Sequence, residues 1–239
     1  MADIILICLV LLFASFVQAA SGFGYAIAAM AFLPIFLPLT DGMMLTIICS
    51  FPIMLYLYIK NMKHVNYRIA VLPLVFSLAG ALVGMMLLVN SPNALALRIL
   101  GGFLVALAIY FFMFSEKIKI PNNRISASVA GLVSGLTGGF FNIGGPPVVL
   151  FYSVAAKDKK EYLATLQFLF LCMSVVKFTY FAATLGISKQ VLTIAPFGVG
   201  ISVVGMVLGM LVFNKLSGKV VHRVVYVIMA LSGLWYLFS

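Results

Sequence analysis

Ser134 to Pro147 reads Ser-Gly-Leu-Thr-Gly-Gly-Phe-Phe-Asn-Ile-Gly-Gly-Pro-Pro, and it interrupts sequence that is otherwise as apolar as lipid. Gly135, Gly138, Gly139, Gly144 and Gly145 each cost about 1 kcal/mol inside a helix, and Pro146 and Pro147 about 3 kcal/mol each. The helix is therefore expected to open across this stretch. Freed backbone N–H and C=O groups are tolerated at membrane depth only where protein or a watery cavity satisfies them, so the break is a candidate site.

The surroundings make this a membrane question. Of 239 residues, 64% are hydrophobic and 8% are charged, and the mean hydropathy is +1.23. A soluble domain carries about 25% charged residues, so the composition implies an all-α, polytopic membrane protein. The formal net charge of +10 comes from 15 Lys and Arg against 5 Asp and Glu. These charges sit in short loops, where they orient the chain and meet lipid headgroups, so no nucleic-acid partner is implied. Cys8, Cys49 and Cys172 lie in apolar segments without CxxC spacing and read as small buried hydrophobes. The first twenty residues carry Asp3 and no Lys or Arg, which favours a retained membrane segment over a secretory leader.

Outward from the break, the segments repeat. Ile4 to Ala20 and Tyr25 to Leu39 form two arms around Ser21-Gly22-Phe23-Gly24, with Pro34 and Pro38 kinking or ending the second arm. Spans follow at Met43–Ile59, Ile69–Val89 and Ala94–Phe114. After a polar loop at 115–124, Ile125 to Ala156 again forms two arms around a glycine-rich break. Spans at Tyr162–Leu185, Val191–Phe213 and Val224–Phe238 complete the chain. Two halves, 1–115 and 116–239, each read as a broken hairpin of arms about 15 residues long plus three spans. Gly80, Gly84 and Arg98 recur at one offset as Gly205, Gly209 and Arg223, and Ser21-Gly22 is matched to Ser134-Gly135.

Basic clusters at 60–68, 115–124 and 214–223 belong on the cytoplasmic side, and threading the spans places 157–161 there too. The turns near Asp41, Asn90 and Lys189 fall outside. The second half then starts on the opposite face from the first, so the repeats are inverted, a pattern of secondary transporters with broken helices at the site. The arms could cross fully or be re-entrant.

An opened helix presents N–H groups and about half a positive charge at the start of its second arm, and glycine lets an anion approach closely. Pro146 and Pro147 fit the first turn of such an arm. Asn142 adds an amide donor and Thr137 a hydroxyl, while Gln18 stands just before the first break. Lys177 is the one ionisable side chain well inside a span, so it either pairs with an anion or snorkels. Gly80, Gly84, Gly205 and Gly209, spaced four apart in unbroken spans, read as helix-packing contacts. All five acids lie at the terminus or in loops, which leaves no carboxylate for a proton relay or cation site and favours an anionic substrate. His64 and His222 sit in loops without metal or nucleophile spacing, and no GxxxxGK[ST] loop is present. No cofactor and no metal site is called for.

These residues resemble the sulfite exporter TauE/SafE family of small bacterial permeases. The resemblance rests on Ala20-Ser21-Gly22-Phe23-Gly24, on Gly131-Leu132-Val133-Ser134-Gly135, and on Gly138-Gly139, Asn142 and Gly144-Gly145-Pro146-Pro147. It implies transport of sulfite, thiosulfate or organosulfonates across the cell membrane, through the two motif stretches. Lys177 enters on physical grounds alone. The expectation is a permease that moves a small sulfur oxyanion or sulfonate between facing broken hairpins by alternating access. An anion channel and a non-transport membrane assembly factor or intramembrane enzyme are the alternatives, and a homo-oligomer is left open.

Overall fold

A computed structural model describes residues 2–114, 120–212 and 218–238, apart from the side chains at 2, 20, 21, 114, 212 and 218–224. Among them there are ten α-helices: α1 (Ala2–Ser21), α2 (Tyr25–Phe32), α3 (Leu39–Asn61), α4 (Tyr67–Val89), α5 (Asn93–Phe114), α6 (Arg124–Phe141), α7 (Gly145–Ala155), α8 (Lys159–Thr184), α9 (Lys189–Val212) and α10 (Gly218–Phe238). Five are long and apolar enough to cross a bilayer: Leu39–His64 (α3 with the 3-10 turn after it), Tyr67–Val89, Asn93–Met113, Lys159–Thr184 and Lys189–Leu211. The fold is the polytopic all-α membrane architecture that the composition requires. The side chains of Glu116, Lys117, Lys119, Lys215, Lys219 and Arg223, on which two basic loops rest, lie outside the described residues.

Local chemistry sets the helix starts. Asn66 begins α4 by accepting from Arg68 N at 3.1 Å, and Asn123 begins α6 by accepting from Ser126 N at 2.8 Å. Asp158 begins α8 by accepting from Lys160 N and Glu161 N at 2.8 and 2.9 Å. Each satisfies backbone donors that a helix leaves unpaired in its first turn. Beyond α2, a 3-10 turn at Leu33–Ile35 with Pro34 in its first positions ends the arm. The helix then resumes at Leu39, four residues before the expected start of the third segment.

The chain forms two compact units, residues 1–50, 91–118 and 187–239 in the first, and 51–90 and 119–186 in the second. Each takes helices from both halves of the sequence. In the first unit α1 packs along α9, and α10 packs on α5. A Cβ added at Gly205 would stand 2.5 Å from Leu12 O, and one at Gly209 would stand 2.7 Å from Phe16 O, so α1 and α9 run parallel in glycine contact. In the second unit α6 packs along α4 in the same manner, Gly80 against Leu132 and Leu136, and Gly84 against Leu136 and Phe140. The small-residue reading of these four glycines is correct: backbones come together where side chains are absent.

Helix starts also gather within each unit. In the first unit Leu39 N donates to Asn93 Oδ1 at 3.3 Å and the Ser188 hydroxyl to Asp41 Oδ2 at 2.8 Å, which joins the starts of α3, α5 and α9. In the second, Asn66 N donates to Thr165 Oγ1 at 3.1 Å and Asn66 Nδ2 to Glu161 Oε1 at 2.6 Å, which joins those of α4 and α8.

Both hairpins differ from the expected pair of equal arms. The first arms are α1 with 20 residues and α6 with 18, whereas the second arms are α2 with 8 and α7 with 11. At 1.5 Å per residue α7 is about 17 Å long and α2 about 12 Å, well short of a hydrocarbon core about 30 Å thick.

Candidate functional site

In the second unit α6 does not open at its first glycines. Gly131, Gly135, Gly138 and Gly139 all lie inside the helix. A Cβ on Gly135 would fall 2.8 Å from Ser77 Cα, and one on Gly139 would fall 2.9 Å from Ala81 Cα, so both turn toward α4. Their helix cost is offset by the close contact with that neighbour, and this is why the opening expected across the whole stretch shrinks to three residues. Gly138 turns instead toward Gly144, whose Cα would lie 3.3 Å from an added Cβ.

The chain leaves the helix at Asn142, the only non-glycine residue at positive φ among the described residues, with φ of 62°. Asn tolerates the left-handed region better than most residues and serves as a helix C-terminus. Ser134, one turn before Gly138, donates its hydroxyl to the Gly144 carbonyl and so staples the break to α6. A Cβ on Gly144 would stand 2.5 Å from Ser134 O, so only glycine fits there. Thr137 spends its hydroxyl on its own helix, donating to Val133 O at 2.9 Å.

α7 then starts at Gly145, with Pro146 and Pro147 in its first turn as expected. The same prolines thin the anion cradle that an opened helix was expected to offer. Of the first three helical N–H groups, only that of Gly145 exists. The positive end of the α7 dipole remains, but the donors there are few.

The charge comes from α8. Lys177 is 8% exposed and Asn142 is 5% exposed, and Lys177 Nζ donates to Asn142 Oδ1 at 2.5 Å. The lysine therefore does not snorkel; it is turned into the break. No ion pair to it is found among the described residues. The acids of this unit's α8 start, Asp158 and Glu161, stand at least 16 residues back, about 24 Å along the helix. Asn142 and Lys177 thus form a buried ammonium beside an amide, at the end of one helix and the start of another.

The first unit's break is neutral. Gly22 and Gly24 have φ of 82° and 102°, which only glycine adopts easily. Gln18, 3% exposed, bridges the opening: its Oε1 accepts from Tyr25 N at 3.1 Å and its Nε2 donates to Gly22 O at 3.5 Å. It is occupied in closing the loop. Phe23 is half-buried, and the side chain of Ser21 lies outside the described residues. Sequence reading missed Tyr25 and Ser202, whose hydroxyls meet at 2.9 Å across 177 positions. The only available signal was that Tyr25 is the first residue after a break.

The match of Ser21-Gly22 to Ser134-Gly135 is corrected by these placements. Ser21 is the last residue of α1, whereas Ser134 lies eight residues before its break. Relative to the end of the first arm, Asn142–Gly144 is placed as Gly22–Gly24 is, two helical turns further on than the sequence match. A seven-residue shift preserves a helix face, so small residues align falsely.

With this geometry established, a scan against family models matches sulfite exporter TauE/SafE over residues 7–236. The chain belongs to the sulfite exporter TauE/SafE family. Neither a search of curated proteins nor one of solved structures returned a match. Membership in this transporter family and five helices long and apolar enough to cross a bilayer make the chain a multi-pass membrane permease of the sulfite exporter type, set in the lipid bilayer of the cell membrane with a small anion as substrate.

Proposed function

We propose that this TauE/SafE protein is a secondary permease that moves sulfite, thiosulfate or an organosulfonate by alternating access, and that Lys177 and Asn142 hold the anion at the α6–α7 break. The observation that carries this reading is a buried ammonium whose partner is a neutral amide. A buried charge without a countercharge is costly, and an anion of matched size removes that cost. Gly145 N–H and the α7 dipole add to the attraction.

The same reading takes 1–115 and 116–239 as inverted repeats. It is supported by the parallel packing of α6 on α4 and of α1 on α9, and by the short second arm in both hairpins. That the chain is not an enzyme belongs to the same proposal.

Counterflow of a labelled organosulfonate or of sulfite in proteoliposomes tests it. The wild type should show saturable counterflow. Lys177→Gln should weaken apparent affinity about tenfold or more, the effect of losing a charge-assisted hydrogen bond worth about 1.5–3 kcal/mol, and Lys177→Arg should restore part of it. Flux without counterflow would indicate a channel. Unchanged affinity in Lys177→Gln would reduce Lys177 to a cation capping the C-terminal end of α6.

A further inference from the structure

An open polar pocket lies in the second unit, at the end where α3 stops and α4 and α8 begin. It measures about 510 Å³ and is lined by Lys63, His64, Asn66, Tyr67, Arg68 and Glu161 among others. Its charges are not balanced. Glu161 is engaged by Asn66 Nδ2 at 2.6 Å, and no ion pair of Lys63 or Arg68 is found among the described residues. Lys63 and Arg68 against Glu161 leave a formal charge of +1 with His64 neutral, enough to balance one phosphodiester.

The rim is apolar and exposed. Ile59, Met62 and Tyr67 all face outward at this end of the unit, Tyr58 and Tyr67 pack on Phe168, and Lys60 lies over the Tyr56 ring at 5.8 Å. Tyrosines and snorkelling lysines around a charged cavity at a helix end are the chemistry of the headgroup layer. The basic loop assigns this end to the cytoplasmic leaflet, which carries anionic lipid. We propose that this cavity is a binding site for the phosphate of an anionic phospholipid, with Lys63 and Arg68 on the phosphate and Tyr67 beside the glycerol and acyl region. A free phosphate would satisfy the same two cations. The apolar rim favours the lipid, because only a lipid fills both parts.

Native mass spectrometry of the full chain in detergent, titrated with phosphatidylglycerol and separately with phosphatidylcholine, reads the site directly. Phosphatidylglycerol should bind at least tenfold more tightly than phosphatidylcholine. Lys63→Gln with Arg68→Gln should weaken phosphatidylglycerol binding about thirtyfold, about fivefold per cation. Lys157→Gln with Lys160→Gln removes the same charge from exposed cations that do not line the pocket and should cost less than about threefold. Both mutated positions of the first pair are exposed, and unchanged melting in phosphatidylcholine checks that the fold is kept. Equal losses in the two double variants would show diffuse surface charge and overturn the site. Equal binding of the two lipids would do the same. Displacement of phosphatidylglycerol by excess inorganic phosphate would reassign the cavity to a soluble anion.

Discussion

Gly135→Ala separates a packing glycine from a substrate-contacting one, and its cost can be worked from the α4–α6 contact. An added Cβ would stand 2.8 Å from Ser77 C and Cα, with the Ser77 carbonyl oxygen nearer still. Carbon atoms rest at about 3.5–4.0 Å, so the two helices must part locally by roughly 0.7–1 Å. A gap of that size forfeits a quarter to a half of each pairwise well of about 0.1–0.2 kcal/mol. Over about 40 atom pairs, the number one buried side chain makes, this amounts to about 2 kcal/mol. The Ser77 hydroxyl also donates to Gly131 O at 3.0 Å. Stretching that bond adds about 0.6 kcal/mol, so the total is about 2–3 kcal/mol, within the usual range for overpacking. At about 2–4 °C per kcal/mol the melting midpoint should fall by about 4–12 °C. Gly200 is the control, because a Cβ there meets no atom within 4 Å. Gly200→Ala should leave the midpoint unchanged or raise it slightly, since alanine is the better helix former. Thermal unfolding of the detergent-solubilised chain measures both. A Gly135→Ala protein melting within about 1 °C of wild type, or an equal loss in Gly200→Ala, would refute the close α4–α6 contact.

Other outcomes follow from the same geometry. Ser134→Ala removes the staple on Gly144 and should cost about 1 kcal/mol while increasing proteolysis or hydrogen exchange at the α6–α7 break. Gln18→Ala breaks both bonds that close the first break and should lower the melting midpoint, with apparent anion affinity changed less than about threefold; a larger affinity loss would make Gln18 a ligand. Asp158 accepts the Glu161 and Lys160 N–H groups, and the Glu161 bond above all holds its carboxyl below the usual carboxylate range. A carboxyl lowered in the folded state stabilises at neutral pH and loses that contribution as pH falls through its folded value. The stability difference between wild type and Asp158→Asn should therefore be present at pH 7 and vanish in acid, and a difference that persists at low pH would assign the effect to something other than the carboxylate.

Much of this molecule was legible in one dimension because the bilayer leaves a helical chain few choices. Apolar runs and the Pro-Pro start of α7 were readable, since each depends on residues close in sequence. The four spaced glycines were readable as contacts for the same reason. What they touch was not: Gly135 and Gly139 carry the same composition signal as Gly144, and only their neighbours distinguish them. A glycine against another helix's carbonyl preserves its own helix, whereas Gly144 lies beyond the end that Asn142 makes. The seven-residue misalignment of the breaks has the same origin, because two helical turns bring the same face round again.

From sequence alone came the membrane class, the two broken hairpins, the absence of intramembrane acids and the isolated lysine, all fixed by local hydropathy and by the cost of charge in hydrocarbon. Tertiary structure alone decided where the helix opens, that Lys177 turns to Asn142 instead of the interface, and that Gln18 and Thr137 are occupied locally. Those outcomes depend on which backbone lies opposite a given residue. That is settled by packing between segments as much as 205 positions apart, as at Ala31 and Tyr236, and not by any spacing within one segment.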